Sequence, residues 1–371
     1  MTEACVALLG RRDAPTDAVA EYCQYLGEAL QVEGIALELV RVAWNETGWR
    51  AALRDLQGHA RAWRGRWVLV QYTTLAWSER GFPQKILGVL RVLRDAGARV
   101  AMVYHDPLPF PGRRVIDKLR AWIQTRVMRE ALEASELGVF TVPPSKIGWI
   151  GKSRVRIAFI PVGANLVNPE RAWAARAEAK NPVPAVVVYG ITGGEGGKGE
   201  IAAIAEALQT VTERIGQVRL VAIGRNSDTA EQALRDAIRN QPVEVSALGV
   251  LPAEEVVGHM AKCDVMLFVR GGISTRRGSA IAGIACGLPV VALEGPETGE
   301  AITEAGVLFA NPKNERGIGE ALLRILNDRE CREALAEKSR RAQERYFSWN
   351  AIAGSYARAL RGKDGEVGSQ S

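Results

Sequence analysis

The sequence predicts two consecutive doubly wound α/β domains, each with a parallel sheet covered by helices on both faces. Three observations support this prediction. The candidate strands are short, near-continuous runs of Val, Leu and Ile, which are typical of strands buried on both faces. Amphipathic helical patterns separate them, as crossovers between parallel strands require. The 371 residues also exceed one ordinary core and suit two domains.

The first half of the chain alternates candidate strands with candidate helices. Apolar runs predict strands at 5–10, 35–41, 66–73, 99–105, 137–142 and 156–162. Helical periodicity predicts helices at 17–33, 47–62, 83–96 and 113–134. We therefore expect a first Rossmann-like domain over 1–165.

The stretch 163–184, GANLVNPERAWAARAEAKNPVP, interrupts this alternation and predicts a linker over 166–183. The alternation then resumes. Strands are predicted at 185–190, 219–224, 243–249, 264–269, 288–293 and 306–310. Helices are predicted at 199–214, 228–240, 253–262, 278–286, 314–328, 329–345 and 349–361. The second Rossmann-like domain is expected over 184–345, a last helical segment over 346–362 and a disordered tail over 363–371.

Composition argues against several classes of protein. Hydrophobic residues make up 47%, yet no stretch approaches the ~20 apolar residues of a membrane span, and the first residues lack the basic segment of a signal peptide. The five cysteines form no C-x-x-C pair, which predicts reduced thiols in a cytoplasmic protein. Three unclustered histidines argue against a zinc site. The net charge of +6 indicates anionic partners, but it forms no block, which argues against nucleic acid.

Ligands of doubly wound sheets bind at the carboxyl ends of the strands, and we expect the site in the cleft between the two domains. The main candidate is RGGISTRRGS, 270–279, where a glycine-rich turn brings Arg276 and Arg277 to the start of a helix. The free N–H groups of Gly278 and Ser279 and two guanidinium groups suit a phosphate. The alternative is a solvated loop with two surface arginines.

Three further strand ends in the second half are weaker candidates. Lys198 lies at the turn of YGITGGEGGKGE, 189–200, which is not a Walker A motif because no Ser or Thr follows the lysine. Arg225 follows the strand at 219–224, and Val250 with Leu251 could form an apolar floor for a flat base. A plain loop is the alternative for each of them.

Polar residues also follow two strands of the first half. His105 and Asp106 end the strand at 99–105, and a histidine there can act as an acid, a base or a hydrogen-bond donor. Gly10 ends the first strand, and Asp17 either caps the first helix or contacts a substrate. A structural role is the alternative for His105.

The helix predicted over 113–134 is basic and amphipathic. Its apolar residues lie near one face, and its Arg and Lys residues lie mostly elsewhere. Such a helix can lie on an anionic membrane. The sequence favours the alternative, in which the apolar face packs into the core and the basic face is solvated.

Several stretches together resemble one family. They are ACGLPVVAL (285–293), IPVGANL (160–166), YGI and GGKGE within 189–200, LVAIG (220–224), LGVLPAEEV (248–256), AITEAGVLFANP (301–312) and SWNAIAGSYARAL (348–360). This set is similar to the retaining nucleotide-sugar glycosyltransferases of family 4 (glycosyl transferases group 1). The resemblance implies the GT-B fold, with two Rossmann-like domains facing a cleft and a last helix, 346–362, that crosses back to the first domain. It also matches Lys198 to the family's phosphate-binding lysine.

The chain departs from the family at three positions. Ser274 and Ala282 stand where the family carries two glutamates, one contacting the transferred sugar and one the ribose. Gly193 stands in place of the family's arginine upstream of Lys198. We hypothesise that Arg276 and Arg277 join Lys198 in binding the diphosphate, and that Glu297 or Glu300 takes over a sugar or ribose contact.

The resemblance implies a retaining hexosyltransferase that needs no metal or other cofactor, and no D-x-D motif is present. A nucleoside-diphosphate sugar would be the donor, and a glycan, a lipid-linked molecule or a small molecule the acceptor. Alternatives are a non-catalytic sugar-nucleotide-binding protein or partner subunit, and a sugar-nucleotide epimerase. Peripheral association with an anionic membrane stays open.

Overall fold

The computed structural model describes residues 3–112, 114–178 and 181–362, so the predicted tail over 363–371 lies outside the described residues. The chain packs into two compact units. The first runs to Val162 and resumes at Trp349, and the second is Gly163–Ser348. Each unit has a six-stranded, wholly parallel sheet flanked by helices, which confirms the predicted fold class.

The sheet of the first unit has the strand order β2-β1-β3-β4-β5-β6. These strands are β1 (Glu3–Leu9), β2 (Ile35–Arg41), β3 (Trp67–Tyr72), β4 (Arg99–Tyr104), β5 (Leu137–Phe140) and β6 (Arg156–Phe159). The helices are α1 (Ala18–Val32), α2 (Trp44–Thr47), α3 (Trp49–Ala60), α4 (Ile86–Asp95) and α5 (Val115–Glu133). The chain's last helix, α14 (Trp349–Leu360), also belongs to this unit.

The sheet of the second unit has the order β12-β11-β10-β7-β8-β9. Its strands are β7 (Ala185–Tyr189), β8 (Val218–Ile223), β9 (Val243–Ala247), β10 (Val265–Gly272), β11 (Val290–Leu293) and β12 (Val307–Phe309). Its helices are α6 (Arg171–Glu178), α7 (Glu195–Ile215), α8 (Glu231–Ala237), α9 (Ala253–Ala261), α10 (Gly278–Ala285), α11 (Glu300–Thr303), α12 (Gly317–Asn327) and α13 (Arg329–Ala342). A π-helical turn over Gln343–Phe347 follows α13.

The central strands are buried because their side chains are apolar on both faces. All six residues of β3 are buried, and so are the first four residues of β7. Such strands must be covered from both sides, and the crossover helices provide that cover. Within the described part of the chain, no helix is long and apolar enough to cross a bilayer.

The last helix packs on α1 of the first unit through aromatic contacts. Tyr356 and Tyr22 share a hydrogen bond of 3.0 Å between their hydroxyl groups, and the ring of Trp349 stacks on Tyr25 with centroids 5.5 Å apart. Trp67 at the start of β3 donates its indole N–H to Leu360 O at 3.0 Å. Residues more than 290 positions apart in the chain therefore join one core.

One helix lies inside the predicted linker. Helix α6 forms from the Ala-rich run RAWAARAE, because Ala and Arg favour the helix and Ala172 is buried. Trp173 then donates its indole N–H to Ala285 O at 2.8 Å, which holds this helix on the second unit. The composition of this segment predicts a linker without a helix, and that prediction is wrong over Arg171–Glu178.

Helix α7 begins four residues earlier than predicted, at Glu195 instead of 199. The glycines at its start do not break it, since they let the chain turn tightly at Thr192. A Cβ built on Gly197 would lie only 2.1 Å from Thr192 O. As a result Lys198 lies within the first turn of a helix instead of in a loop.

The interpretation of α5 as packed in the core by its apolar residues is wrong for the first half of the helix. Val115, Ile116, Leu119 and Trp122 are all exposed. Val127 and Met128, further along, are buried. Hydrogen bonds of Gln124 anchor the helix in this rotation.

The close approach at Gly197 gives a prediction of stability. Gly197→Ala should lower the stability of the second unit by about 1–3 kcal/mol, because the new methyl group meets a backbone oxygen that cannot move aside. Gly199→Ala is the matched control, since a Cβ there meets nothing within 4 Å. It should leave stability unchanged or raise it by up to ~1 kcal/mol. Urea unfolding followed by circular dichroism tests both variants, and equal midpoints for the two would contradict the described packing.

Candidate functional site

Strand order reverses once in each sheet, between β1 and β3 in the first unit and between β7 and β10 in the second. At such a point the two crossovers leave toward opposite faces of the sheet and open a crevice beyond the carboxyl ends of the strands.

In the second unit, the loop after β7 is held by side chains from its neighbours. Thr192 donates its backbone N–H to Glu200 Oε2 at 2.8 Å, and its hydroxyl donates to Glu200 Oε1. Asn226 donates its amide to Ile191 O at 2.8 Å. The loop is therefore fixed where it enters α7, and the free N–H groups of that helix start face the carboxyl edge of the sheet.

Lys198 lies in the first turn of α7, and its side chain is exposed. Its ammonium group is 2.7 Å from Glu195 Oε1. An exposed ion pair of this kind contributes little free energy and exchanges readily with other anions. Lys198 thus lies in a helix start instead of the predicted loop, and its present partner does not prevent it from binding a ligand; its predicted contact with a phosphate stays a prediction.

Arg276 forms a bidentate ion pair with Glu297. Its Nε and Nη2 atoms lie 2.7 and 2.9 Å from the two carboxylate oxygens, and both side chains are largely buried. Ser274 donates its hydroxyl to Glu297 Oε2 at 3.0 Å. Burial by itself would raise the pKa of Glu297, but the hydrogen bonds and charge of Arg276, together with Ser274, hold it below its ordinary value. The sequence had not predicted that Arg276 is engaged within the protein.

The loops that carry this pair are joined closely. A Cβ on Gly272 would lie 2.5 Å from the Cα of Gly295, so only glycine permits this approach. Thr298 donates its hydroxyl to Ile273 O at 2.6 Å and accepts from the Gly295 N–H at 2.9 Å. These contacts place Glu297, which follows β11, beside Ser274, which follows β10.

Two more arginines belong to this edge. Arg270 lies on β10, and its Nη1 atom is close enough to Gly190 that a Cβ built there would be 3.1 Å away. Among the described residues, no acceptor lies within hydrogen-bond distance of the buried Arg270 Nε. Arg277 is the N-cap residue of α10 and is half-buried. Arg270 was not singled out from the sequence, although a charged residue at the end of a buried strand is a usable signal.

The remaining residues predicted for the second unit lie in the connections after β8, β9, β10 and β11. Arg225 follows β8, and its carbonyl accepts from the Ile191 N–H at 3.0 Å. Val250 is exposed and Leu251 half-buried in the loop between β9 and α9. Gly278 and Ser279 begin α10, and Glu300 begins α11 with an exposed side chain. Their predicted contacts with a ligand stay predictions.

In the first unit, a cavity of about 250 Å³ opens at the reversal between β1 and β3. Gly10, Asp17 and Asp106 line it. At Gly10 the chain approaches the loop after β3 so closely that a Cβ would lie 2.3 Å from Ala76 O. These three residues of the predicted site therefore meet in one cavity.

Asp17 has two structural partners in this cavity. Its Oδ1 accepts from the Ala20 N–H at 3.1 Å and caps α1, and its Oδ2 lies 2.8 Å from Arg41 Nη2. Arg41 also donates to Gly10 O at 2.8 Å. The capping alternative therefore describes Asp17, while a contact with a substrate stays a prediction. Arg41, which ends β2, was missed because nothing in its local sequence distinguishes it.

His105 lies just past β4 and is oriented by Gln71. Its Nε2 atom is 2.8 Å from Gln71 Oε1, and the Gln71 amide nitrogen donates to Leu69 O at 3.2 Å, so the oxygen must accept from His105. The ring therefore donates from Nε2 and keeps Nδ1 as an acceptor. Burial lowers the pKa of His105 to about 4, which keeps the ring neutral near pH 7.

Comparison with known proteins places this geometry in context. Residues 195–328 match the family model described as Glycosyl transferases group 1. That segment begins at α7 and contains Lys198, Arg276 and Glu297. No curated protein sequence gives a match.

Solved structures resemble the chain over nearly its whole length. HepE from Anabaena, solved in complex with UDP and glucose, is 16% identical, with 97% of this chain and 100% of that one covered and a TM-score of 0.65. Sucrose-phosphate synthase from Thermosynechococcus elongatus is 17% identical, with 97% and 99% covered and a TM-score of 0.68. A glycosyltransferase from Rickettsia africae is 11% identical, with 98% and 100% covered and a TM-score of 0.68. Together with the two parallel sheets, these likenesses show that the chain has the GT-B fold.

Proposed function

We propose that the protein is a retaining glycosyltransferase that takes a sugar from a nucleoside-diphosphate donor. The observation that carries this proposal is the concentration of cationic groups at the reversal between β7 and β10, inside the segment that matches the glycosyl transferases group 1 model. HepE, which shares the fold, was solved with UDP and glucose, and this supports a nucleotide-sugar ligand here as well. The finer assignment to family 4 stays a prediction from the sequence.

The chemical problem in such a transfer is the negative charge that develops on the leaving diphosphate. Fixed cationic groups and helix N-termini stabilise that charge without rearranging when it forms. In our proposal Lys198, Arg270 and Arg277 bind the phosphates, together with the N–H groups of Gly278 and Ser279 at the start of α10. Arg225 lies in the adjoining loop and offers a further cation. That no metal takes part stays a prediction.

Glu297 is proposed as the carboxylate that contacts the transferred sugar. The family carries a glutamate where this chain has Ser274, and the Ser274 hydroxyl is hydrogen-bonded to Glu297. The carboxylate is thus supplied from the next loop, at nearly the same place. This assigns Arg276 to orienting Glu297 and revises the hypothesis that Arg276 grips the diphosphate. Glu300, which is exposed, stays the candidate for a ribose contact.

In the first unit, His105 is proposed to accept a hydrogen bond at Nδ1 from a hydroxyl group of the sugar or of the acceptor. Its neutral state and its fixed tautomer suit that role. The cavity lined by Gly10, Asp17 and Asp106 is proposed to hold the acceptor. Asp17 would act there through its ion pair with Arg41, which fixes both side chains.

A second candidate function is a non-catalytic protein that binds a sugar nucleotide. It is favoured by Ala282, which replaces the family's second glutamate and is buried in α10, so it offers no polar contact to a ribose. Incubation of the purified protein with a panel of UDP-, GDP- and ADP-sugars separates the two functions. Release of nucleoside diphosphate supports the transferase, whereas tight binding without any release supports the binding protein. Isomerisation of the sugar without acceptor would instead indicate an epimerase.

The phosphate assignment predicts a loss of nucleotide affinity. Arg270→Ala and Lys198→Ala should each weaken binding of the preferred nucleoside diphosphate by about 1–3 kcal/mol, the range for one charge-assisted hydrogen bond, as measured by titration calorimetry. Arg239→Ala is the control. Arg239 lies beyond the end of α8, is exposed and pairs with Asp236 in that helix. Affinities equal to that of the control would remove the assignment.

The sugar contact predicts a different signature for Glu297. Glu297→Gln should lower the rate of donor turnover by roughly tenfold to a hundredfold, since it removes a charged hydrogen-bond acceptor of about 1.5–3 kcal/mol. Affinity for the nucleoside diphosphate alone should change less than about twofold. Glu294→Gln, in the same loop but exposed, should behave like the wild type. A Glu297→Gln protein that turns over its donor normally would show that the carboxylate has no such contact.

The low pKa of His105 predicts a dependence of stability on pH. Because its folded pKa of about 4 lies below the ordinary value of 6.5, the unfolded chain binds the proton more readily between these values. Stability contributed by His105 should be complete above pH ~6.5 and should be lost as the pH falls toward 4. His105→Asn should therefore show a smaller fall in melting temperature from pH 7 to pH 5 than the wild type. His59→Asn, at an exposed position, serves as the control; parallel curves for all three proteins would contradict a buried neutral His105.

A further inference from the structure

Helix α5 divides into two halves with opposite patterns. In its second half, Gln124, Val127, Met128, Ala131 and Leu132 are buried against the first unit. In its first half, the large apolar residues face solvent: Val115 is 85% exposed, Ile116 46%, Leu119 48% and Trp122 59%. The apolar face of the first half is therefore not the face that packs.

Helix geometry explains this arrangement. At 100° per residue, Val115, Leu119 and Trp122 fall on one side, and Gln124, in the packed half, falls about 160° from Trp122. We call Val115, Ile116, Leu119 and Trp122 the apolar stripe. One rigid helix cannot bury Val115, Leu119 and Trp122 together with Gln124, while Ile116 lies at the edge between the two faces.

The rotation of the helix is fixed by hydrogen bonds. The buried Gln124 amide donates to Gly81 O at 2.8 Å and accepts from the Phe110 N–H at 2.8 Å, so it joins two loops to the helix. Arg120 donates to Arg80 O at 3.1 Å and pairs with Asp117 at 2.8 Å. Turning the stripe inward would break these bonds and leave Gln124 unsatisfied.

The charge around the stripe is positive. Residues 114–126 contain four basic side chains, of which Arg120 pairs with Asp117 and Arg126 with Glu130 at 2.7 Å, so Arg114 and Lys118 carry the positive charge. Arg114 and Lys118 are exposed beside the stripe. The Arg126 guanidinium lies 5.8 Å from the centroid of the Trp122 ring, within the range of a cation–π contact.

We propose that the first half of α5 docks the protein on the surface of an anionic lipid bilayer. An exposed tryptophan with aliphatic neighbours, flanked by Arg and Lys, is the pattern of helices that lie in the membrane interface. The apolar stripe enters the boundary between headgroups and acyl chains, and Arg114 and Lys118 contact lipid phosphates. This inference is independent of the transferase assignment, because it concerns neither donor nor catalysis.

Two other occupants of the stripe fit less well. A second copy of the chain would bring Arg114 and Lys118 against identical cations, and four side chains do not supply the ~1,200 Å² of a stable interface. The chain's last residues, KDGEVGSQS (363–371), contain a single valine and so offer no apolar surface to match the stripe.

Sedimentation with vesicles tests the proposal on the full chain without any sugar nucleotide. The vesicles contain either phosphatidylcholine alone or phosphatidylcholine with about a third phosphatidylglycerol, a fraction that gives a strongly negative surface. The wild type should bind the anionic vesicles, and should bind at least about tenfold more weakly to neutral vesicles or at 0.5 M salt, because that salt screens lipid charges. The double variant Leu119→Gln/Trp122→Gln should lose at least about tenfold in binding, since it removes two apolar side chains from the interface.

Val32→Gln is the matched control, because Val32 is 83% exposed at the end of α1 and lies outside the stripe. The Val32→Gln protein should bind vesicles like the wild type. The variant Lys118→Glu should bind anionic vesicles more weakly and neutral vesicles unchanged. Circular dichroism and melting temperature establish that each variant is folded. Three results would overturn the proposal: no binding by the wild type, full binding by the Leu119→Gln/Trp122→Gln protein, or a wild-type dimer that this double variant abolishes. Loss of donor turnover in other variants would leave this outcome unaffected.

Discussion

The constraint on which the structure depends is that every strand of both sheets runs parallel to its neighbours. All strands of a sheet then end at one edge, and the crevice lies where the order of strands reverses. In the first unit this edge holds the cavity lined by Gly10 and Asp17. In the second unit it holds the loops after β7 and β10. Polar residues such as Asp106, Arg225 and Glu297 lie on short connections after strands, so the position of each is set by a strand that the core holds rigidly.

The ion pair of Arg276 and Glu297 changes the charge balance at the second edge. Taking both groups out of water costs free energy, which two parallel hydrogen bonds and the Ser274 hydroxyl offset. Because the pair is neutral as a whole, the cationic groups that this edge offers beyond it are Arg270, Arg277 and Lys198, of which Lys198 is in an exposed ion pair with Glu195. The glycine contact between Gly272 and Gly295 brings the two loops together and makes the pair possible. Backbone packing and electrostatics thus depend on each other here.

The fold could be predicted from the sequence because its signal is local: each buried strand is a run of Val, Leu and Ile, and each run can be located without knowing its neighbours. The identity of the partner of Arg276 could not be predicted in this way. Glu297 lies 21 positions along the chain, and the same stretch also contains the glutamates Glu294 and Glu300. Only the close approach of the loops after β10 and β11 selects one of the three. The prediction of where α7 begins was wrong for a related reason. The glycines before Lys198 suggest a loop until their packing against Thr192 is known.

Helix α5 shows how a helical pattern can be correct and its interpretation wrong. Its apolar residues recur at helical spacing, and burial is the usual reason for that spacing. Here the rotation of the helix is set by its buried second half and by Gln124, whose amide bonds the Phe110 N–H and the Gly81 carbonyl. Turning the helix would leave the Gln124 amide unpaired and would also expose Val127, Met128, Ala131 and Leu132, so the two costs together oppose the gain from burying the stripe. The stripe therefore stays outward, and a surface of this kind on a folded protein usually marks a site of interaction.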